Sequence, residues 1–234
     1  VIIEAGAGKV GVTVSGIISG DVTVDGITFQ NSDSGVSAFG NSLSIGNLVV
    51  QNSKFLNNAK HGVFVNGKND GVGKVTVQDS TFENNGDGSS NGDGDIVLFE
   101  YRGDATLKNL IIDNGGGTAD TAIQIAGFEQ NDYDVNDPIG VVVIDNVQID
   151  GTYTKVALYI QGYTDLTDLS LSDVSGSVEA GWGYATYIDP MSSAIVGAPP
   201  NIADRPGAFN DAAADGSVDL SGVTLANTVA VAVG

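Results

Sequence analysis

An eight-residue pattern that returns along the chain limits its fold more than any other feature. It reads VTVDGITF from Val22 to Phe29, LVVQNSKF from Leu48 to Phe55 and VTVQDSTF from Val75 to Phe82. Weaker copies begin at Ala105, Val142, Leu169 and Val218. The starts are 26, 27, 30, 37, 27 and 49 residues apart, a steady minimum with the excess in polar insertions. A period of this size signals stacked repeats, in which no unit buries its apolar side alone and stacking creates one continuous core.

A second motif lies between the octets. It reads GVSAFG from Gly35, GVFVNG from Gly62, IVLFEYRG from Ile96, AIQIAG from Ala122, ALYIQG from Ala157 and ATYIDP from Ala185. GVTVSG, from Gly11, reads as the same motif in a coil that started before Val1, and VAVAVG, from Val229, as its last copy. Short alternating apolar runs bounded by Gly, Asn, Asp and Ser are strand-and-turn signals, and helical periodicity is nearly absent. Each repeat holds a strand, a bend, a second strand, a turn and a third strand. That is one turn of a parallel β-helix, with coils about 4.8 Å apart. The expectation is an all-β chain of about seven coils with three short strands per coil. Val22, Val24, Ile27, Phe29, Val63, Val65, Ile123, Ile125, Leu158 and Ile160 should face inward. Phe29, Phe55 and Phe82 share one position and should stack. Asn52, Asp79, Asn109, Asn146 and Asp173 follow the first strand at one register. Both residue types tolerate the left-handed backbone region, so these are bend residues.

Charge bounds the partners. Nine basic residues face 29 acidic ones, a net charge of −20, which repels nucleic-acid backbones and anionic membrane surfaces. With no cysteine there is no disulfide and no thiolate metal site. No apolar run approaches the roughly 20 residues of a membrane helix. The chain opens inside an apolar run and closes in another, so residues 1–234 read as a single β-helix domain cut from a longer chain. Open strand edges at both ends invite end-to-end self-association or flanking domains.

The octets and their ends FQNS, FLNN and FENN resemble right-handed parallel β-helix repeats of the pectin-lyase-like superfamily. The resemblance implies a right-handed coil. It leaves activity open, because that superfamily holds polysaccharide lyases, hydrolases, epimerases, tailspikes and adhesins. The Asn-Thr-Asp, paired Asp, Gly-His-Gly and Arg-Ile-Lys motifs of its polygalacturonases do not occur, and Lys60-His61-Gly62 departs from Gly-His-Gly. The arginine that pectate lyases use as a base has two possible counterparts, Arg102 and Arg205. The Asp-Pro-His element of the alginate epimerases stands here as Asp189-Pro190-Met191, without its histidine. His61, the only histidine, starts a third strand and is expected to be exposed.

Insertions at 83–95, 128–140 and 190–216 break the coil, and loops this long usually carry function. The last two flank a short connection at 163–166 and should wall a gap. Aligned third strands place Gln124, Tyr159 and Tyr187 at one outward position on its floor. The next outward position holds Ala126, Gln161 and Asp189. Stacked tyrosines would take the C–H face of a sugar, so Gln124, Tyr159, Gln161, Tyr187 and Asp189 form the candidate ligand site. The candidates for catalysis are Asp189, Arg205 and Tyr187. Asp87, Asp93 and Asp95 lie in a Gly-rich turn that suits calcium, a hard cation with oxygen ligands. Their NGDGD segment is similar to a calcium-binding nonapeptide repeat, with the aspartate spacing one residue short. Glu129, Asp132, Asp134 and Asp137 form a second acidic cluster. Two functions follow. One is a noncatalytic structural, adhesive or glycan-binding module of a secreted or cell-surface bacterial protein, stabilised by Ca2+, with a polysaccharide or cell-surface glycan as partner. The other is a polysaccharide lyase or epimerase acting on an acidic glycan.

Overall fold

The computed structural model describes residues 1–40, 42–67, 71–88, 92–126, 140–161, 169–183, 185–189 and 222–226. They form an all-β solenoid of about six turns, with every pairing between coils parallel. Among the described residues there is no helix, and so none long and apolar enough to cross a membrane.

Two sheets run the length of the stack. The first has ten strands: β1 (Ile2–Ile3), β3 (Val22–Asp25), β4 (Thr28–Gln30), β6 (Ile45–Gln51), β7 (Lys54–Leu56), β9 (Val72–Glu83), β11 (Ala105–Asn114), β13 (Val142–Tyr153), β15 (Leu169–Ala180) and β17 (Val223–Ala226). The second has seven: β2 (Gly6–Val14), β5 (Ser32–Ala38), β8 (His61–Asn66), β10 (Gly94–Phe99), β12 (Thr121–Ala126), β14 (Leu158–Gln161) and β16 (Thr186–Asp189). The third strand of each coil builds the second sheet. The first two build the first sheet, separate in the early coils and fused into one bent strand from β9 onward.

The octets stack in the register their alignment gives. Val22 pairs with Leu48, Leu48 with Val75, Val75 with Ala105, Ala105 with Val142 and Val142 with Leu169. The bend between the first two strands is made by a left-handed residue in each coil. Asn52, Asp79, Asn109, Asn146 and Asp173 have φ of 51°, 50°, 53°, 52° and 50°. That region costs an ordinary side chain roughly 1–2 kcal/mol, and Asn and Asp soften the cost with local hydrogen bonds. Here the bonds also run between coils: Asn109 donates to Asp79 Oδ1 at 2.8 Å and Asn146 to Asn109 Oδ1 at 2.9 Å.

The second corner, after β4, β7 and β9, repeats the device. Asn31, Asn57 and Asn84 take φ of 51°, 53° and 51°. The next residues, Ser32, Asn58 and Asn85, turn inward and are buried. Asn85 donates to the Phe55 carbonyl at 3.0 Å, and its own carbonyl accepts from Asn58 Nδ2 at 2.8 Å. Corner backbone groups that would otherwise be buried unpaired are thereby satisfied. This is the physical content of the FLNN and FENN endings.

Val24, Phe29, Val63, Val65, Ile123, Ile125, Leu158 and Ile160 are buried, and Val22 and Ile27 pack against the core from its margin. The phenylalanines stack as expected: Phe29–Phe55 centroids are 5.2 Å apart and Phe55–Phe82 4.7 Å, with planes within 13° and 8° of parallel. Glycine makes room for them. A Cβ on Gly11, Gly35 or Gly62 would lie 2.5–2.6 Å from a ring carbon of Phe29, Phe55 or Phe82.

Candidate functional site

The two sheets differ on their outer faces. The first presents Thr23, Thr76, Asp25, Gln51 and Lys108 to solvent or its margin. The second presents Phe64, Val97, Gln124, Tyr159 and Tyr187 along one outward line. Its register confirms the alignment of third strands: Gln124 pairs with Tyr159 and Tyr159 with Tyr187, while Ala126 pairs with Gln161 and Gln161 with Asp189. The side chains of Gln161 and Asp189 lie outside what the structure describes. So do Arg205, the 128–139 part of the second insertion, the 190–216 insertion, the 163–166 connection and the cluster Glu129, Asp132, Asp134 and Asp137.

Tyr159 and Tyr187 stack with centroids 5.4 Å apart and planes within 10°. A third ring joins them. Trp182 meets Tyr159 edge-on at 6.2 Å and Tyr187 edge-on at 6.0 Å, with its plane at 82° to both. Stacked and T-shaped pairs at these distances are the arrangements the ring quadrupole favours. The tryptophan reaches this place because β15 ends at Ala180 and the turn that follows bonds Trp182 N–H to the Lys155 carbonyl at 3.1 Å. The platform is not open along its length, as the sequence suggested. Tyr187 is fully buried, and only Tyr159 and Trp182 keep part of their surface in solvent. The accessible feature is therefore an aromatic corner with Gln124 beside it.

The described part of the first insertion is tied to turns beside the second sheet. Between β9 and β10, Gly92 donates its N–H to Asp120 Oδ2 at 2.8 Å. Asp120 also receives Lys155 Nζ at 2.8 Å and the Thr154 hydroxyl. Burial works against the Asp120 carboxylate, but Lys155, Thr154 and Gly92 outweigh it and hold its pKa below the usual value. From the other side, the His61 ring hydrogen-bonds the Gly92 backbone. Gly92 is thus clasped between β8 and the turn before β12.

His61 starts β8, but it is largely buried rather than exposed. It stacks on Phe64 at 4.7 Å and its Nδ1 lies 3.1 Å from Ser34 Oγ. Desolvation, aided by the Lys60 charge, lowers its pKa to about 4, so it is a neutral packing and hydrogen-bonding group at pH 7.

In the acidic turn between β9 and β10 the aspartates stand in different settings. Among the described residues, no three His, Asp or Glu side chains converge to hold a metal ion. Asp93 and Asp95 are fully buried. Asp95 turns into the core, where Asn85 Nδ2 donates to its Oδ1 at 2.8 Å. Asp87 uses its backbone to tie the turn down, with its N–H on the Ala59 carbonyl and its carbonyl accepting from Thr118 Oγ1.

Sequence reasoning missed Trp182, although it is the only tryptophan and sits in an isolated Gly-Trp-Gly turn. It also missed Asp120 and Lys155, which stand on either side of β12 and β13 and carry no local motif. Compared with known protein families, curated proteins and solved structures, the chain matches none.

Proposed function

We propose that this chain is a noncatalytic glycan-binding module of a secreted or cell-surface protein, a relative in form of the pectin-lyase-like β-helices. The observation that carries this reading is the Tyr159–Trp182–Tyr187 cluster on the outer face of the second sheet. Two rings with exposed surface, braced by a buried third, offer rigid apolar area at little entropic cost, and Gln124 supplies an amide for hydroxyl groups. The outer face of the first sheet, which exposes Ile111 among its polar residues, presents no aromatic ring among the described residues. The −20 charge favours neutral sugars, because uronate polymers are repelled without a bridging cation. This reading does not depend on calcium at Asp87, Asp93 or Asp95. The module works by surface contact, and stacking its coil ends on neighbouring domains or copies would array the site.

The test is affinity electrophoresis in gels containing β-glucan, galactan, chitin fragments or uronate polymers. Wild type should be retarded by at least one neutral glycan. Trp182→Ala and Tyr159→Ala should weaken retardation about tenfold, equivalent to ~1.4 kcal/mol, with unchanged circular dichroism. Retardation by no glycan, or undiminished in both variants, would overturn the reading. Absorbance near 235 nm developing on a uronate polymer would favour the lyase alternative instead.

A further inference from the structure

The turn that carries Trp182 has little stiffness of its own. It runs Gly181-Trp182-Gly183, and Gly183 takes a left-handed φ of 80°. Glycine on both sides leaves the backbone many alternatives unless something outside the turn holds it. The turn of the preceding coil does so. Gly181 donates its N–H to the Tyr153 carbonyl at 2.9 Å, and Trp182 to the Lys155 carbonyl at 3.1 Å. The fit is close, since a Cβ on Gly181 would stand 2.2 Å from the Thr154 carbonyl oxygen. Trp182 therefore takes its place from the backbone at 153–155.

That supporting turn is held by the coil before it, and by one side chain in particular. Thr154 donates its N–H to the Ala119 carbonyl at 2.9 Å, and Lys155 to the Asp120 carbonyl at 3.1 Å. The Asp120 carboxylate then gathers both of their side chains, the Thr154 hydroxyl on Oδ1 and Lys155 Nζ on Oδ2 at 2.8 Å. The Gly92 N–H also donates to Oδ2, at 2.8 Å. A partly buried carboxylate that takes several donors, one of them charged, is a firmer clamp than an exposed ion pair. The same corner nearer the start of the stack shows the contrast. Lys60 donates its N–H to the Asp33 carbonyl and pairs with the Asp33 carboxylate at 3.0 Å. Those two side chains are 40% and 22% exposed, against 26% and 11% for Lys155 and Asp120.

Resting on the glycan-binding reading above, we propose that Asp120 is a positioning residue for the aromatic corner. By gripping Thr154 and Lys155 it fixes the turn beneath Trp182, and so fixes the edge-on stance of that ring against Tyr159 and Tyr187. A site held in shape before its ligand arrives loses less freedom on binding. Asp120 thus acts on recognition through Trp182.

Trp182 is the only tryptophan, so acrylamide quenching of its emission reads the order of the turn with no glycan present. Asp120→Asn keeps the size of the side chain and removes its charge. Well below the unfolding temperature, its quenching constant should rise about twofold over wild type, as local order at the turn is lost. Thr154→Val, at an exposed position, removes one bond of the clamp and should move quenching in the same direction. On a neutral glycan that retards wild type, Asp120→Asn should bind about fivefold more weakly. The double variant Asp120→Asn/Trp182→Ala should bind no more weakly than Trp182→Ala alone, because the two residues act as one unit. Quenching unchanged in both Asp120→Asn and Thr154→Val overturns the positioning role, whatever the glycan result. So does a loss of affinity in Asp120→Asn that adds in full to that of Trp182→Ala. Should Asp120→Asn not fold, quenching in Thr154→Val decides alone. Quenching that rises in a protein whose wild type binds no glycan would sink the glycan reading and leave the clamp on Trp182 standing.

Discussion

At Gly35 one methyl group separates a packed core from a strained one. A Cβ there would stand 2.5 Å from Phe55 Cδ1 and 2.8 Å from the Gly62 carbonyl. Neither can retreat, because Phe55 is held between Phe29 and Phe82. Gly35→Ala should therefore cost about 1–3 kcal/mol, the usual range for overpacking. Gly116→Ala is the matched control: its Cβ would meet nothing within 4 Å and its backbone is not left-handed. Thermal denaturation of the two variants should show a drop of several degrees for the first and almost none for the second. Equal melting temperatures would contradict the coupling of glycine and phenylalanine columns. The phenylalanine column was legible in the sequence because identical residues recur at one octet position. Its glycine partners were not, since a glycine before a strand looks like a turn signal until the register across the core is known.

Among the elements, the first insertion shows what a repeat pattern can and cannot reveal. Its existence followed from the excess residues between octets, and its boundaries at 84–93 agree with the expected 83–95 to within two residues. Its anchoring did not follow, because Asp120, Thr154 and Lys155 come from later coils and act through tertiary contacts. A run of Gly and Asp reads as a solvated or metal-binding turn, yet here two of its acids are buried. Removing the anchor should free the loop without unfolding the solenoid. In Asp120→Ala, limited proteolysis should nick residues 84–93 faster by an order of magnitude while the melting temperature falls by only a few degrees. A loop as resistant as in wild type would show that Gly92 is held by His61 alone. The third strands of the second sheet were placed correctly by alignment, down to the pairs Gln124–Tyr159 and Tyr159–Tyr187. What the alignment lacked was burial: it gave the direction of Tyr187 and not the cover over it. Trp182, in a turn without a repeated partner, gave periodic reasoning nothing to align.

Over the whole molecule, the repeat supplies shape and its exceptions supply chemistry. Stacked octets account for the first sheet, both ladders of left-handed asparagines and aspartates, and the aromatic spine. The aromatic corner, the clasped loop and the buried Asp95 all stand where the repeat is broken. In the proposed reading, the strong acidic charge disfavours anionic polymers while the aromatic corner offers its surface to an uncharged ring. Trp182, the only tryptophan in the chain, lies in that corner, so its emission reports on the site and nothing else. The most direct measurement is a fluorescence titration of wild type with neutral oligosaccharides. The account predicts a saturable change in Trp182 emission that is lost in Tyr159→Ala. A glycan that binds while Trp182 emission stays constant would place recognition elsewhere on the molecule and contradict it.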